Sequence, residues 1–210
     1  MSEQLSLLGD VEAPPGYKLD NVANPAGVAG YSLFFAIFPG EEDAQRISQL
    51  VESVRKTRGL KGRPFLAERL HLSLQAVEES STPPSQLVVA AACSAAAHVI
   101  CPPLAIAFDR AALFDNKKAA CVFHCDKDSA ARIAPLRKQL GAALREVGLH
   151  PVASSTPHMT MLYDDPQRAF DAPIEPVTWT ATRFVLILSH LGASHHQWIK
   201  EWPLAGRISS

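Results

Sequence analysis

Two short stretches of the chain repeat one pattern, His71-Leu72-Ser73-Leu74 and His158-Met159-Thr160-Met161, with the histidines 87 residues apart. Each reads imidazole, apolar, hydroxyl, apolar. On a β-strand, residues i and i+2 share a face. His71 and Ser73 then point one way while Leu72 and Leu74 point into a core, and His158 and Thr160 repeat the arrangement. An imidazole exchanges a proton near neutral pH, and a hydroxyl beside it can hydrogen-bond a phosphoryl oxygen. Two such pairs, one histidine neutral and the other protonated, can supply the general base and general acid for displacement at phosphorus. The pattern also fits two half-buried histidines of amphipathic strands, and the residues alone leave both readings open.

Other candidates are weaker. Cys121, His124 and Cys125 resemble a metal-ligand set, but in a strand (AACVFHC) His124 faces away from the two thiols, and no second ligand pair with zinc spacing follows. No metal site is expected. Residues 55–69 hold Arg55, Lys56, Arg58, Lys61, Arg63 and Arg69 against one acid, Glu68. That segment is either a rim that attracts an RNA backbone or a basic helix end with a solvated loop. Phe65 in it offers a ring for base stacking or for packing. Arg69 shares the expected strand parity of His71 and Ser73. Trp198 and the His195-His196 pair read as turn and core features of the last strands.

The elements that must carry these residues follow from periodicity. Residues 1–30 lack sustained periodicity and read as a loosely ordered arm. YSLFFAIF (31–38) suits a buried strand. The spacing of Ala44, Ile47, Val51 and Val54 predicts a helix with acids in its first turn and bases in its last, closed by Gly59. A strand near 69–77 carries the first motif, and Pro83 and Pro84 open an Ala-rich helix to about 98. Strands near 104–110 and 119–125 flank a hairpin-like turn at Asp115-Asn116. A helix over 129–147 has Ser129 as its cap and Gly148 as its stop, with Pro135 delaying or kinking it. A strand at 158–163 carries the second motif, and TRFVLILSHL and HQWIKEWPL close the chain as two more strands. Each half holds strands, helices and one His-x-Ser/Thr strand, so two α+β lobes related by pseudo-symmetry are expected.

Composition narrows the class. The chain has 210 residues, 47% of them hydrophobic, and a formal charge of −1. That supports one sizeable core and gives no global field for long nucleic acid. No apolar run approaches the ~20 residues of a membrane span, and the N-terminus lacks a secretory pattern. A soluble, cytoplasmic protein is expected, with its four cysteines as free thiols. In the arm, Gln4-Leu5-Ser6-Leu7-Leu8 resembles the peptide that docks on bacterial DNA sliding clamps, with Leu8 in place of the usual aromatic. An unremarkable tail is the alternative.

Residues 31–205 resemble the 2H phosphoesterase superfamily, in particular its 2′-5′ RNA ligase or RNA 2′,3′-cyclic phosphodiesterase branch. The likeness rests on SLFFAIFP, RLHLSL, TPHMTM, FVLILSHL and WPL. It implies a single bilobal α+β domain over 31–205 with a tail at 206–210. Mostly antiparallel sheets would surround a central cleft, with helices outside. The implied reaction opens 2′,3′-cyclic phosphates to 2′-phosphates, with reversible 2′-5′ RNA ligation in some members, and needs neither metal nor cofactor. The partners would be RNA ends or 2′,3′-cyclic nucleotides. The resemblance gives His71 the acid role and His158 the base role, which the sequence alone does not orient, and gives Ser73 and Thr160 the non-bridging oxygens. This chain departs at Tyr163, where well-known members carry an arginine five residues after the second histidine. A phenol donates a hydrogen bond but supplies no positive charge. Arg69 is the candidate cation in its stead, with Tyr163 and Phe65 beside it as substrate-binding candidates. The competing functions are a non-catalytic RNA-end-binding module and a clamp-associated nucleic-acid processing protein.

Overall fold

The computed structural model describes residues 29–114, 119–151, 156–165, 169–193 and 195–206. Residues 1–28 of the N-terminal arm, Gln4–Leu8 among them, the Asp115-Asn116 turn and the tail beyond 206 lie outside the described residues, whereas Gly30, counted with the arm in the sequence, belongs to the first strand.

Strand β1 (Gly30–Ile37) is buried along nearly its whole length. Helix α1 (Glu41–Thr57) has Glu41, Glu42 and Asp43 in its first turn, Arg55 and Lys56 in its last, and buries Ala44, Ile47 and Val51. Charges so placed complement the helix dipole. Gly59 ends it at φ 64°, and Leu60 N–H reaches back to the Arg55 carbonyl at 2.9 Å. Only glycine adopts that left-handed turn without a Cβ penalty.

The first-motif strand begins later than the sequence suggests. Residues Ala67–Arg69 close a 3₁₀ turn, with Arg69 and Leu70 N–H on the carbonyls of Leu66 and Ala67. Strand β2 then spans Leu72–Ser80. Arg69 is therefore on a turn and not on the strand, and the parity assigned to it does not apply.

Helix α2 (Gln86–Ala97) is capped by Ser85, and strands β3 (Leu104–Leu113) and β4 (Ala120–Cys125) follow. Helix α3 spans Lys127–Glu146 and its cap is Asp126, which accepts from Ser129 N–H at 2.7 Å. Ser129 is instead buried in the first turn, and its hydroxyl accepts from Ala107 N–H at 2.8 Å. Pro135 does not interrupt α3; it lies on the exposed face, where water can satisfy the carbonyl it leaves unpaired. Strand β5 (His158–Tyr163) carries the second motif. A strand not expected from the sequence, β6 (Phe170–Ala181), comes next, then β7 (Arg183–Leu191) and β8 (His195–Pro203). Pro173 and Pro176 mask β6 in the sequence, and they are tolerated because β6 is a sheet edge.

The eight strands form one sheet in the order β6-β3-β4-β5-β2-β1-β7-β8, every neighbour antiparallel. Reading outward from its centre gives β2-β1-β7-β8 on one side and β5-β4-β3-β6 on the other. The units β1-α1-β2 and β4-α3-β5 occupy corresponding places. The two lobes are thus related by a pseudo-dyad between β2 and β5. They do not coincide with the halves of the chain, because β7 and β8 return to the first lobe.

Among the described residues the lobes pair directly at one position, Leu72 opposite Met159. Both side chains are fully buried in the main core with Phe35, Phe108, Phe123 and Phe184. Helices α2 and α3 pack together, with α3 against β2, β3 and β4. The opposite face near β2 and β5 is left for the motif residues.

Candidate active site

The Leu72–Met159 pair fixes the centre of the site. His71 and Ser73 flank Leu72 in the chain, and His158 and Thr160 flank Met159, so both motifs are brought to this one meeting point of the lobes. The apolar residues of the two motifs fill the core, while His71, His158 and Thr160 are half-buried and Ser73 is exposed. The alternation that places them is the ordinary period of a strand.

Both imidazoles are held the same way. His71 Nδ1 lies 2.8 Å from the Arg69 carbonyl, and His158 Nδ1 lies 2.8 Å from the Thr156 carbonyl. A carbonyl oxygen only accepts, so each ring carries hydrogen on Nδ1. Nε2 is left as the nitrogen for proton exchange. His71 packs against Phe34 at 5.3 Å, Phe38 at 5.5 Å and His196 at 5.2 Å between ring centroids. His158 has Phe114 and His124 at 6.2 Å each, and His124 is its cross-strand partner.

Burial pushes the His71 pKa below its usual value, the positive charges of Arg69 and His158 add to this, and the Arg69 carbonyl opposes it. His124 is lowered by burial and then by His158. His196 is pushed down to about 3, by burial first and then by His71 and Arg69. The ring beside His71 is therefore neutral at working pH.

The three substrate-binding candidates come together. The Arg69 guanidinium lies 4.9 Å from the centre of the Phe65 ring, and Phe65 meets Tyr163 edge-on at 5.7 Å. Arg69 Nε is buried without a hydrogen-bond partner among the described residues. The loop before the 3₁₀ turn is pinned to the end of β5: Phe65 N–H donates to the Met161 carbonyl at 2.8 Å, and Lys61 and Gly62 N–H donate to Asp164 at 2.6 and 2.9 Å. Gly62 permits this approach, since a Cβ there would come within 2.0 Å of the Tyr163 oxygen. The rest of the basic segment divides. Arg55 pairs with Glu52 at 3.0 Å, Arg58 lies over Phe170, and Lys56, Lys61 and Arg63 are exposed.

Sequence reasoning missed His124, His196, Phe34, Phe38 and Phe114 as neighbours of the two histidines. His196 is a neighbour of His71, not merely a core feature, and Trp198 stands 43% exposed in β8, not in a turn. The parity that set His124 apart from Cys121 and Cys125 was the signal for its place. The thiols are buried in the core with pKa values pushed up to about 12, while His124 sits by His158.

A pseudo-dyad relating two histidine-hydroxyl strands on an antiparallel α+β fold defines the 2H phosphoesterase class. A sequence model described as the 2′-5′ RNA ligase superfamily matches residues 39–193. The chain belongs to that superfamily. Among solved structures it is similar to Escherichia coli LigT in complex with 3′-AMP, with TM-score 0.66 and 22% identity over 83% of this chain and 98% of that one. A protein described as a phosphoesterase has TM-score 0.63 and 20% identity over 84% and 99%. A Thermus thermophilus protein has TM-score 0.62 and 18% identity, also over 84% and 99%. A comparison with curated proteins gives no match.

Proposed function

We propose that the protein opens 2′,3′-cyclic phosphate ends of RNA, or the corresponding cyclic nucleotides, to 2′-phosphates. The observation that carries this reading is the shared Nδ1 anchoring of His71 and His158 at 2.8 Å, one from each lobe, on the two strands that meet at Leu72 and Met159. It gives each ring a defined tautomer, and in this reading the two Nε2 atoms, free of the carbonyls that hold the rings, act on one phosphorus.

His158 takes a proton from water as the new P–O bond forms. The bond from phosphorus to the 3′ oxygen breaks, and His71 delivers its proton to that oxygen. The products are a 2′-phosphate and a free 3′-hydroxyl, with His158 protonated and His71 neutral; solvent restores the starting states. Ser73 and Thr160 donate to the non-bridging oxygens. Arg69, with its unpartnered Nε, supplies the charge that Tyr163 lacks, and Tyr163 adds a phenol donor. Burial disfavours the charged form of His71, and the anionic cyclic phosphate offsets this by favouring the imidazolium. The substrate thus loads the acid. With an RNA 5′-hydroxyl in place of water, the same expulsion of the 3′ oxygen yields a 2′-5′ linkage. LigT was solved with 3′-AMP and with phosphate, a nucleoside monophosphate and its anionic group.

The test is product analysis on 2′,3′-cyclic nucleotides and cyclic-ended RNA in EDTA, for the wild type and His71→Ala. A 2′-phosphate product that depends on His71 and persists in chelator is expected. Binding without turnover would instead make the protein an RNA-end-binding module, and chelator-sensitive turnover would overturn the metal-free scheme.

A further inference from the structure

Each motif histidine has a second imidazole beside it, His124 for His158 and His196 for His71. His124 is a direct cross-strand neighbour, but His196 reaches its partner from a strand two places removed, since β1 and β7 lie between β2 and β8. We infer that His196 is the positioning residue of the acid: with Phe34 and Phe38 it closes a wall of rings that fixes the His71 imidazole and keeps water from it. The inference rests on the cyclic-phosphate reading for the role of His71 and adds the residue that prepares it.

Three observations carry it. The first is the shared face. His196 pairs with Ser189, which alternation puts on the side of β7 that carries Val185 and Ile187. Those two side chains form, with Phe34 and Ala36 of β1, a small apolar cluster apart from the main core, and Phe38 packs against it. His71 and His196 meet over this cluster, 5.2 Å apart between centroids and edge-on at 73°. Phe34 lies 5.3 Å from the first ring and 6.1 Å from the second. The second is closure. Phe34, Phe38 and His196 pack against His71 while the Arg69 carbonyl holds its Nδ1. Three rings and one hydrogen bond set the imidazole plane before any substrate arrives. The third is charge. A second cation in contact with His71 would oppose the protonated acid. The Nδ1 of His196 is buried without a hydrogen-bond partner among the described residues, so it has no acceptor to stabilise an imidazolium. Burial first, then His71, Arg69, His195 and His190, push its pKa down to about 3. The charged groups that face His71 are Arg69 from the 3₁₀ turn and His158 from β5. Near neutral pH the His71–His196 pair therefore holds one proton at most, and that proton sits on His71.

The test follows the imidazole C–H resonances of His71 by NMR in the free protein, for the wild type, His196→Ala and His196→Phe. In His196→Ala the His71 pKa should rise by roughly one unit as water reaches the ring, and His196→Phe, which keeps the cover, should hold the wild-type value. His196→Thr also lacks a ring and gives the same comparison should the alanine variant not fold. On 2′,3′-cyclic AMP, His196→Ala should lower the plateau kcat by roughly 10–100-fold with KM little changed, and His196→Phe should recover most of it. The gap between the basic limbs of kcat and kcat/KM should narrow in His196→Ala. A His71 titration unmoved in His196→Ala, or moved as far in His196→Phe, overturns the inference, even where the urea midpoint falls. A His71 shift in His196→Ala beside a wild type that turns over no cyclic phosphate supports the wall of rings and removes the reaction. Turnover with a His71 titration indifferent to His196→Ala removes the positioning role and leaves the reaction standing.

Discussion

His71 and His158 are anchored identically: each sets its Nδ1 2.8 Å from the carbonyl two residues upstream, Arg69 in one lobe and Thr156 in the other. The identity follows from the pseudo-dyad between β2 and β5, which gives two separate stretches of chain the same local backbone. It makes the rings chemically alike in tautomer and distinct only in surroundings, with His71 between Phe34, Phe38 and His196 and His158 beside Phe114 and His124.

Replacing either histidine removes one of the two proton transfers. His71→Ala and His158→Ala should each lower kcat on 2′,3′-cyclic nucleotides by roughly 10²–10⁴. The double variant should be little worse than either single one, because groups that act as a unit are not additive. Steady-state kinetics of the three variants checks this, and simple additivity would argue for independent roles.

The depressed pKa of His71 has a kinetic consequence. An acid must start protonated, and His71 loses its proton below the usual histidine value in the free protein. The basic limb of kcat/KM, which reports free enzyme, should therefore fall as pH rises through that lowered value. In kcat the limb should sit at higher pH, because bound phosphate favours the imidazolium. Both profiles measured from pH 4 to 9 test the order of the two limbs; a reversed order would give His71 the base role instead.

His196 should make the fold sensitive to acid. Its folded pKa of about 3 lies below its ordinary 6.5, so between those values the unfolded chain binds more protons. Its contribution is fully present above about 6.5 and is lost as pH falls toward about 3. Urea midpoints between pH 7 and pH 4 should fall, and less steeply in His196→Leu.

Arg69 is expected to carry the charge missing at Tyr163. Arg69→Ala should lower kcat/KM roughly tenfold or more, the scale of a hydrogen bond to a charged group. Adding Tyr163→Arg in that background should restore part of the loss, since both positions flank Phe65. No recovery, with the fold intact by circular dichroism, would separate the two positions.

Gly62 should be intolerant of any side chain. Its Cβ would sit within 2.0 Å of the Tyr163 backbone oxygen. Gly62→Ala should lift the loop from β5, costing about 1–3 kcal/mol by overpacking and raising KM through Phe65 and Arg69. Thermal unfolding together with substrate titration tests the linked losses.

The sequence by itself determined the two histidine strands, helix α1 with its Gly59 stop, and the α+β class. These rest on interactions within a few residues: strand alternation, helical spacing, end charges and a left-handed glycine. Strand β6 was not legible because Pro173 and Pro176 are acceptable only at a sheet edge, and which strand is the edge is a property of the whole sheet. The surroundings of the histidines were decided by tertiary structure alone. His196 reaches His71 because β8 returns to the first lobe, His124 meets His158 through cross-strand register, and Arg69 meets Tyr163 across Phe65 because Asp164 pins a distant loop. Each of these contacts depends on strand order and loop docking, which join residues far apart in the chain and leave no periodic trace in it.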